Sequence, residues 1–198
     1  MRSLTLIIII ILILIIGLAT AFLLIRNTSS QTTTPSSGSW SYPPNNIPNG
    51  VYMWSWDKEI FERVNVSGGN PYIPKEDGYY LYYFHNNQCP HCQSFEPKLI
   101  SFLKDPQNTR DIKDKIKIIL VVCNWFTIDC TDPTAKATYA WYNVMSSPTF
   151  LLIEVRNGVV VKNIDISSLY VSLVNQGKIP QGEFDPRYVF LLVKSNIS

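Results

Sequence analysis

Apolar residues are distributed along this chain in unlike patterns, and each pattern predicts a different element. Residues 4–25 form an unbroken apolar run of 22 without a charge. As a helix that run is roughly 33 Å long, enough to cross a bilayer. Residues 27–50 are rich in Ser, Thr, Pro and Asn and carry no charge. They have too little apolar surface to order themselves, which predicts a flexible to semi-extended tether. Trp40 and Tyr42 within it could rest at a membrane surface or dock on the domain that follows.

From residue 51 onward short apolar runs alternate with amphipathic stretches. Residues 51–54 predict a short strand. Over 56–64 the apolar positions Trp56, Ile60, Phe61 and Val64 fall at helical spacing and predict a helix, ended by Ser67-Gly68-Gly69-Asn70-Pro71. Residues 79–84 are a continuous aromatic and aliphatic run, the signature of a strand buried on both faces. A helix from Pro90 presents Phe95, Leu99, Ile100, Phe102 and Leu103 on one face. Proline near its start costs little, Pro97 is expected to kink it, and Asp105-Pro106 closes it. Residues 116–122 are continuous and β-branched, a further strand. Asp132 as cap and Pro133 open a helix that runs to 143. Residues 150–153 predict a strand, Asn157-Gly158 a hairpin turn, and 159–161 the antiparallel return. Helices follow at 167–176, ended by Gly177, and from Asp185-Pro186 to 194. The alternation is that of an α/β domain, with no internal repeat.

The N-terminal run has two readings. Ala19-Thr20-Ala21 resembles a signal-cleavage site. It lies inside the apolar run, however, with Phe22-Leu23-Leu24-Ile25 still to come. The run also exceeds the about 7–15 residues of a signal core. Residues 1–26 are therefore read as an uncleaved transmembrane anchor, 27–50 as the tether and 51–198 as the domain. Arg2 and the terminal amine precede the run, and Arg26 follows it. That bias places the N-terminus in the cytoplasm and the domain on the extracytoplasmic side. Sequons at Asn27, Asn65 and Asn196 agree with an outside location.

Charge changes the picture little. Setting aside Arg2 and Arg26, 15 of the 17 Lys and Arg remain against 15 Asp and Glu. The domain is neutral, and no basic stripe argues for nucleic acid. About 150 residues are enough for a proper core.

The four cysteines carry the candidate chemistry. Cys89-Pro90-His91-Cys92 follows the aromatic strand and opens the next helix. A thiol there meets the positive end of the helix dipole and N–H groups without partners, which stabilise thiolate over thiol. Cys92, about one turn on, can close a disulfide or resolve a mixed one. A C-x-x-C by itself is equally half of a zinc site or chance. A metal-handling protein for copper or zinc, with Cys89, Cys92, His91 and His85 as ligands, is the alternative, although no recognised zinc spacing follows Cys92. A redox-inactive binding module is a third reading, against which both intact cysteines argue. Cys123 and Cys130 form a second pair. They could be a structural disulfide stapling the loop after the 116–122 strand, a relay exchanging electrons with Cys89–Cys92, or two buried thiols.

The strand ending before Cys89, Pro97 five residues after Cys92, Ser147-Pro148-Thr149 ahead of a strand, and the Asn157-Gly158 hairpin together resemble the thioredoxin family over roughly residues 51–176. The resemblance implies a central mixed sheet flanked by helices. It also implies a cis peptide bond at Pro148, with Ser147 and Pro148 packed against the cysteine pair and presenting backbone to a substrate peptide. The Pro90-His91 pair is similar to the disulfide-oxidase branch, in which His91 would favour the Cys89 thiolate and make the disulfide more oxidising. The chain departs from the family in its longer segment between the Cys92 helix and Pro148, in its tail beyond Gly177, and at two residues near the cysteines. Gln88 precedes the first cysteine where Trp is expected. The family's buried acid would fall at Tyr83, which cannot relay protons near neutral pH. Proton transfer from Cys92 then requires water, His85 or another group. The function implied is a membrane-anchored thiol–disulfide oxidoreductase without cofactor or metal, oxidase or isomerase ahead of reductase. Its partners would be proteins bearing thiols or disulfides and a membrane redox partner.

Overall fold

The computed structural model describes residues 39–40, 47–66 and 68–197. The anchor expected over 1–26, and the tether apart from 39–40 and 47–50, lie outside the described residues. Among those described, no helix is long and apolar enough to cross a membrane. In chain order the strands and helices are β1 (Ser39–Trp40), β2 (Gly50–Ser55), β3 (Ile60–Arg63), β4 (Gly78–Asn86), α1 (Pro90–Lys104), α2 (Pro106–Thr109), β5 (Ile116–Cys123), α3 (Pro133–Trp141), β6 (Thr149–Arg156), β7 (Val159–Asp165), α4 (Ile166–Asn175) and α5 (Pro186–Lys194). The strands form one sheet in the order β1-β3-β2-β5-β4-β6-β7. β4 and β5 run parallel, and every other pairing is antiparallel. The α/β alternation that the apolar pattern predicts is present, and the sheet is mixed as the resemblance implies.

Two segments differ from expectation. Residues 56–64 are not a helix. Trp56 to Glu59 form a turn, with Glu59 at φ 52°, and β3 returns antiparallel to β2, setting Trp54 opposite Phe61. The two rings meet edge to face at 5.1 Å and both are buried. A nine-residue helix is marginal alone, whereas the hairpin satisfies a strand edge and buries both aromatics together. The packed body also begins before Val51. Ile47, Asn49 and Gly50 are buried, and β1 pairs with β3 within the expected tether. Backbone pairing needs no apolar side chain, so composition does not reveal it.

β4 sits between β5 and β6 and is buried on both faces. Tyr80, Tyr82 and Phe84 point to one face, Leu81, Tyr83 and His85 to the other. The first set packs with Ile119, Val121, Cys123 and the α3 residues Ala135 and Tyr139. The second packs with Phe95 and Leu99 of α1, Ile118 and Leu120 of β5, and Val189, Phe190 and Val193 of α5. α1, α4 and α5 therefore cover one face and α3 the other. Tyrosine is tolerated in this interior because the phenols bond. Tyr80 donates to the Glu76 carbonyl at 2.8 Å and Tyr82 to that of Tyr72 at 3.0 Å. Helix starts are fixed by carboxylates. Asp132, Asp165 and Asp185 accept from the backbone N–H of Ala135, Ser168 and Arg187. α1 is continuous from Pro90 to Lys104, with Pro97 inside it.

Leu99 is 1% exposed in the core under α1, whereas Ile128 is 83% exposed. Leu99→Ala is expected to lose about 2–5 kcal/mol in urea unfolding through the cavity it leaves, and Ile128→Ser to change stability by less than about 0.5 kcal/mol.

Candidate active site

The C-terminal end of β4 delivers the C-x-x-C. After Asn86, the last residue of β4, the chain leaves the sheet through Asn87 and Gln88, and the Cys89 N–H bonds the Asn86 carbonyl at 3.0 Å. Cys89 is the extended residue before α1 and Pro90 the first helical one, so the absent N–H of proline leaves nothing unsatisfied. Cys89 and Cys92 are free thiols, 6% and 0% exposed. Pro90 and His91 are exposed on the first turn.

Ser147 and Pro148 lie over this turn, joined by a cis peptide bond. The Ser147 carbonyl accepts from the Cys89 thiol at 3.5 Å, and its hydroxyl lies 2.7 Å from Cys92 Sγ. One residue thus touches both sulfurs. Burial pushes the Cys92 thiol up to about 12, against the Ser147 hydroxyl and the Asn86 backbone, which favour the thiolate. At neutral pH Cys92 is a thiol, and attack by its sulfur requires a group to take the proton.

Beneath Cys92 three buried groups converge. The Tyr83 hydroxyl lies 2.9 Å from His85 Nδ1 and donates to the Cys92 carbonyl at 3.4 Å. Its ionisation is raised well above the ordinary value by burial first, then by Cys92 and Glu96. Glu96, one turn after Cys92 on α1, is 8% exposed, and burial raises its carboxyl from 4.5 to about 7. Its Oε2 lies 4.0 Å from His85 Nδ1. That contact has the spacing of an ion pair, but burial lowers His85 from 6.5 to about 4, against a pull from the Asn87 side chain. His85 is therefore neutral at physiological pH and the contact carries no ion pair. Sequence reasoning had singled out His85 and missed Glu96. The signal was available, because Glu96 is four residues from Cys92 and beside Phe95 on the inward face of α1.

The second pair is joined. Cys123 and Cys130 form a disulfide with an S–S distance of 2.01 Å. Cys123 packs with Tyr82, Phe84 and Tyr139, on the sheet face opposite α1, and this placement supports the structural reading over the relay. The stapled loop braces the approach to Cys89. The N–H groups of Asn87 and Gln88 donate to the carbonyls of Cys123 and Asn124 at 2.9 and 3.1 Å. The Gln88 side chain donates to Asp129 at 3.1 Å, and the Phe126 N–H to Asn86 Oδ1 at 2.7 Å. Asn124 Oδ1 accepts from both Asn49 and Asn87, at 2.9 and 3.0 Å. These amides tie the segment before β2, the end of β4 and the stapled loop into one network, which spacing in the sequence does not reveal.

The metal alternative loses its ligand set. His91 is exposed, His85 is engaged by Tyr83, and among the described residues no three His, Cys, Asp or Glu side chains gather as a metal site requires.

No protein-family model matches the chain, and no curated protein does. Among solved structures it is similar to thioredoxin from Aeropyrum pernix, at 17% identity, over 67% of this chain and 97% of that one, with a TM-score of 0.34. It is also similar to thioredoxin f2 from Chlamydomonas reinhardtii, at 20% identity, over 54% and 85%, with a TM-score of 0.30. Overlap this loose assigns neither family nor activity.

Two outcomes follow from the site's chemistry. Replacing Cys123 and Cys130 together by alanine releases a loop closed across a sequence separation of 7. This is expected to cost about 2–3 kcal/mol in urea unfolding. For Glu96, the folded carboxyl holds its proton to about 7 and the unfolded one loses it near 4.5. Between those values the unfolded state binds fewer protons, so this residue's contribution falls as pH rises and levels off above about 7. Glu96→Gln should match the parent near pH 4 and exceed its stability by about 2–3 kcal/mol at pH 8, read from paired denaturation curves.

Proposed function

We propose that this chain is a thiol–disulfide oxidoreductase acting on protein cysteines, held to a membrane by residues 4–25 with its folded domain on the extracytoplasmic side. The observation that carries the reading is the pair of free thiols at the start of α1, both in contact with Ser147 ahead of the cis Pro148. Cys89 is the outer thiol and Cys92 the inner, so a partner's sulfur meets Cys89 first. In the oxidising direction a substrate thiolate attacks Cys89 Sγ of the Cys89–Cys92 disulfide. The S–S bond breaks, and Cys92 leaves as thiolate and takes a proton. A second substrate thiolate then attacks the substrate sulfur of the mixed disulfide, forming the substrate disulfide and releasing Cys89. Reduction runs the same steps backward, and the chemistry needs no cofactor.

Ser147 and Pro148 supply the backbone against which a substrate strand would lie, and Pro90 and His91 are exposed beside it. We assign oxidation or isomerisation as the working direction, with His91 as the donor that favours reduced Cys89. The membrane redox partner that would renew the disulfide belongs to the same proposal, as does an anchor ending at residue 26.

The test uses the full-length chain and an unfolded protein substrate carrying scrambled disulfides, which the Cys89 thiolate can attack. Cys92→Ser is expected to accumulate a mixed disulfide that a reductant releases, and Cys89→Ser to form none and to lose turnover by at least about 100-fold. Full activity in Cys89→Ser would end the reading.

A further inference from the structure

The chain between the stapled loop and Ser147 carries an apolar rim that the exchange chemistry does not use. Ile128 is 83% exposed and Met145 80%, and Trp125 and Trp141 face solvent with them. The other large apolar side chains exposed among the described residues lie on β7, α4 and α5. Trp125 and Ile128 belong to the loop that holds Gln88, the residue before Cys89, through the Asn124 carbonyl and the Asp129 side chain. Met145 stands two residues before Ser147, which touches both sulfurs. Two loops that adjoin Cys89 thus carry the rim. We infer that this rim docks on the lipid surface of the membrane, so that Cys89 works on cysteines at the bilayer interface, those of membrane-embedded proteins. The inference rests on the anchored oxidoreductase reading and names the substrate class of the same thiols.

Three observations favour lipid over a soluble peptide. A side chain that lines a groove is half-covered by its walls, whereas Ile128 and Met145 project almost fully into solvent, the form that enters a headgroup layer. Tryptophan suits the same layer, because its ring is apolar and its N–H polar. Charge is nearly absent from the rim. Over 124–131 and 143–149 Asp129 is the single charged residue, and Gln88 and Asn124 both donate to it. Little hydration is therefore lost when this surface leaves water.

Chain direction is the third observation. Ser39 pairs with Glu62 and Trp40 with Phe61. Met53 lies opposite Glu62 on one side and Ile119 on the other, and Gly50 lies opposite Val122. Going back from Trp40 to Ser39, the chain therefore runs toward Val122 and His85, the end of the sheet that bears the thiols. Residues 27–38 separate β1 from the proposed anchor in sequence. A stretch of that length reaches at most roughly 43 Å. A domain held so close meets lipid at high effective concentration, and weak apolar contacts suffice to seat it.

Docking is read with the full-length chain in phosphatidylcholine vesicles whose acyl chains are brominated near the glycerol. Tryptophan emission should be quenched, and Trp125→Phe should lower the quenched fraction at least about twofold. Ile128→Asp should lower it to a similar extent by withdrawing the rim, with Met145→Asp in its place should that variant fail to fold. Added salt should leave the parent's quenching unchanged, since the rim carries no lysine or arginine. Equal quenching in the parent, Trp125→Phe and the aspartate variant would overturn the inference. A second readout offers the reduced chain one peptide disulfide in two forms, palmitoylated in the vesicle and free in water. The ratio of the two rates should fall about tenfold in Ile128→Asp, which stays anchored. An equal loss on both forms would assign the rim to peptide recognition and overturn lipid docking. A parent that reacts with neither form would overturn the oxidoreductase reading, while quenching still decides the docking. Release of the parent from vesicles by alkaline carbonate would overturn the anchor, and the docking with it.

Discussion

The structure depends on burying β4 on both faces while bringing polar atoms out at its end. Tyr82 and Phe84 are fully enclosed on one side and Tyr83 on the other, each ring contributing on the order of 2–3 kcal/mol of burial. That enclosure forces every phenol to find an internal partner, because a bare hydroxyl in the interior costs about 1–3 kcal/mol. Tyr83 finds His85 and the turn of α1. The packing requirement of the strand is thus what sets a hydrogen-bonded cluster directly under the two thiols.

The same enclosure explains the electrostatics of the site. Ionisable groups held away from water favour their neutral forms, and Cys92, Glu96, His85 and Tyr83 all shift in that sense. At neutral pH Cys92, His85 and Tyr83 are neutral, and Glu96, raised to about 7, is the one of the four that changes charge there. Ser147 adds a hydroxyl and a carbonyl from a different part of the chain, so the two sulfurs meet a loop on one side and a hydrogen-bonded interior on the other.

Much of this was legible in the sequence where one physical rule dominated. The 79–84 run, the Asp-Pro helix starts at 132 and 185 and the Asn157-Gly158 turn each obey a single local preference, and the elements fall where those preferences put them. The 56–64 segment failed because Trp54 and Phe61 are paired by a hairpin, and a period of helical appearance can arise from two strands folded on each other. Cys89, Cys92 and Ser147 were visible as motifs. Glu96 was passed over, since a glutamate on a helix is ordinarily a solvated residue, and only its place four residues after Cys92 pointed to its burial. The amide network joining Asn49, Asn87 and Asn124 spans 75 residues and has no local signature.

The Cys123–Cys130 bond sits across the sheet from α1, with the aromatic layer of β4 between it and the helix that carries Cys89 and Cys92. Sulfur exchange demands direct contact along the S–S axis, so a packed sheet is an insulator for this chemistry. Under the proposed function the domain contains one sulfur bond that opens and closes and another that stays shut. The separation comes from topology, which assigns each couple its own side of the sheet, and does not require the two to differ in intrinsic strength.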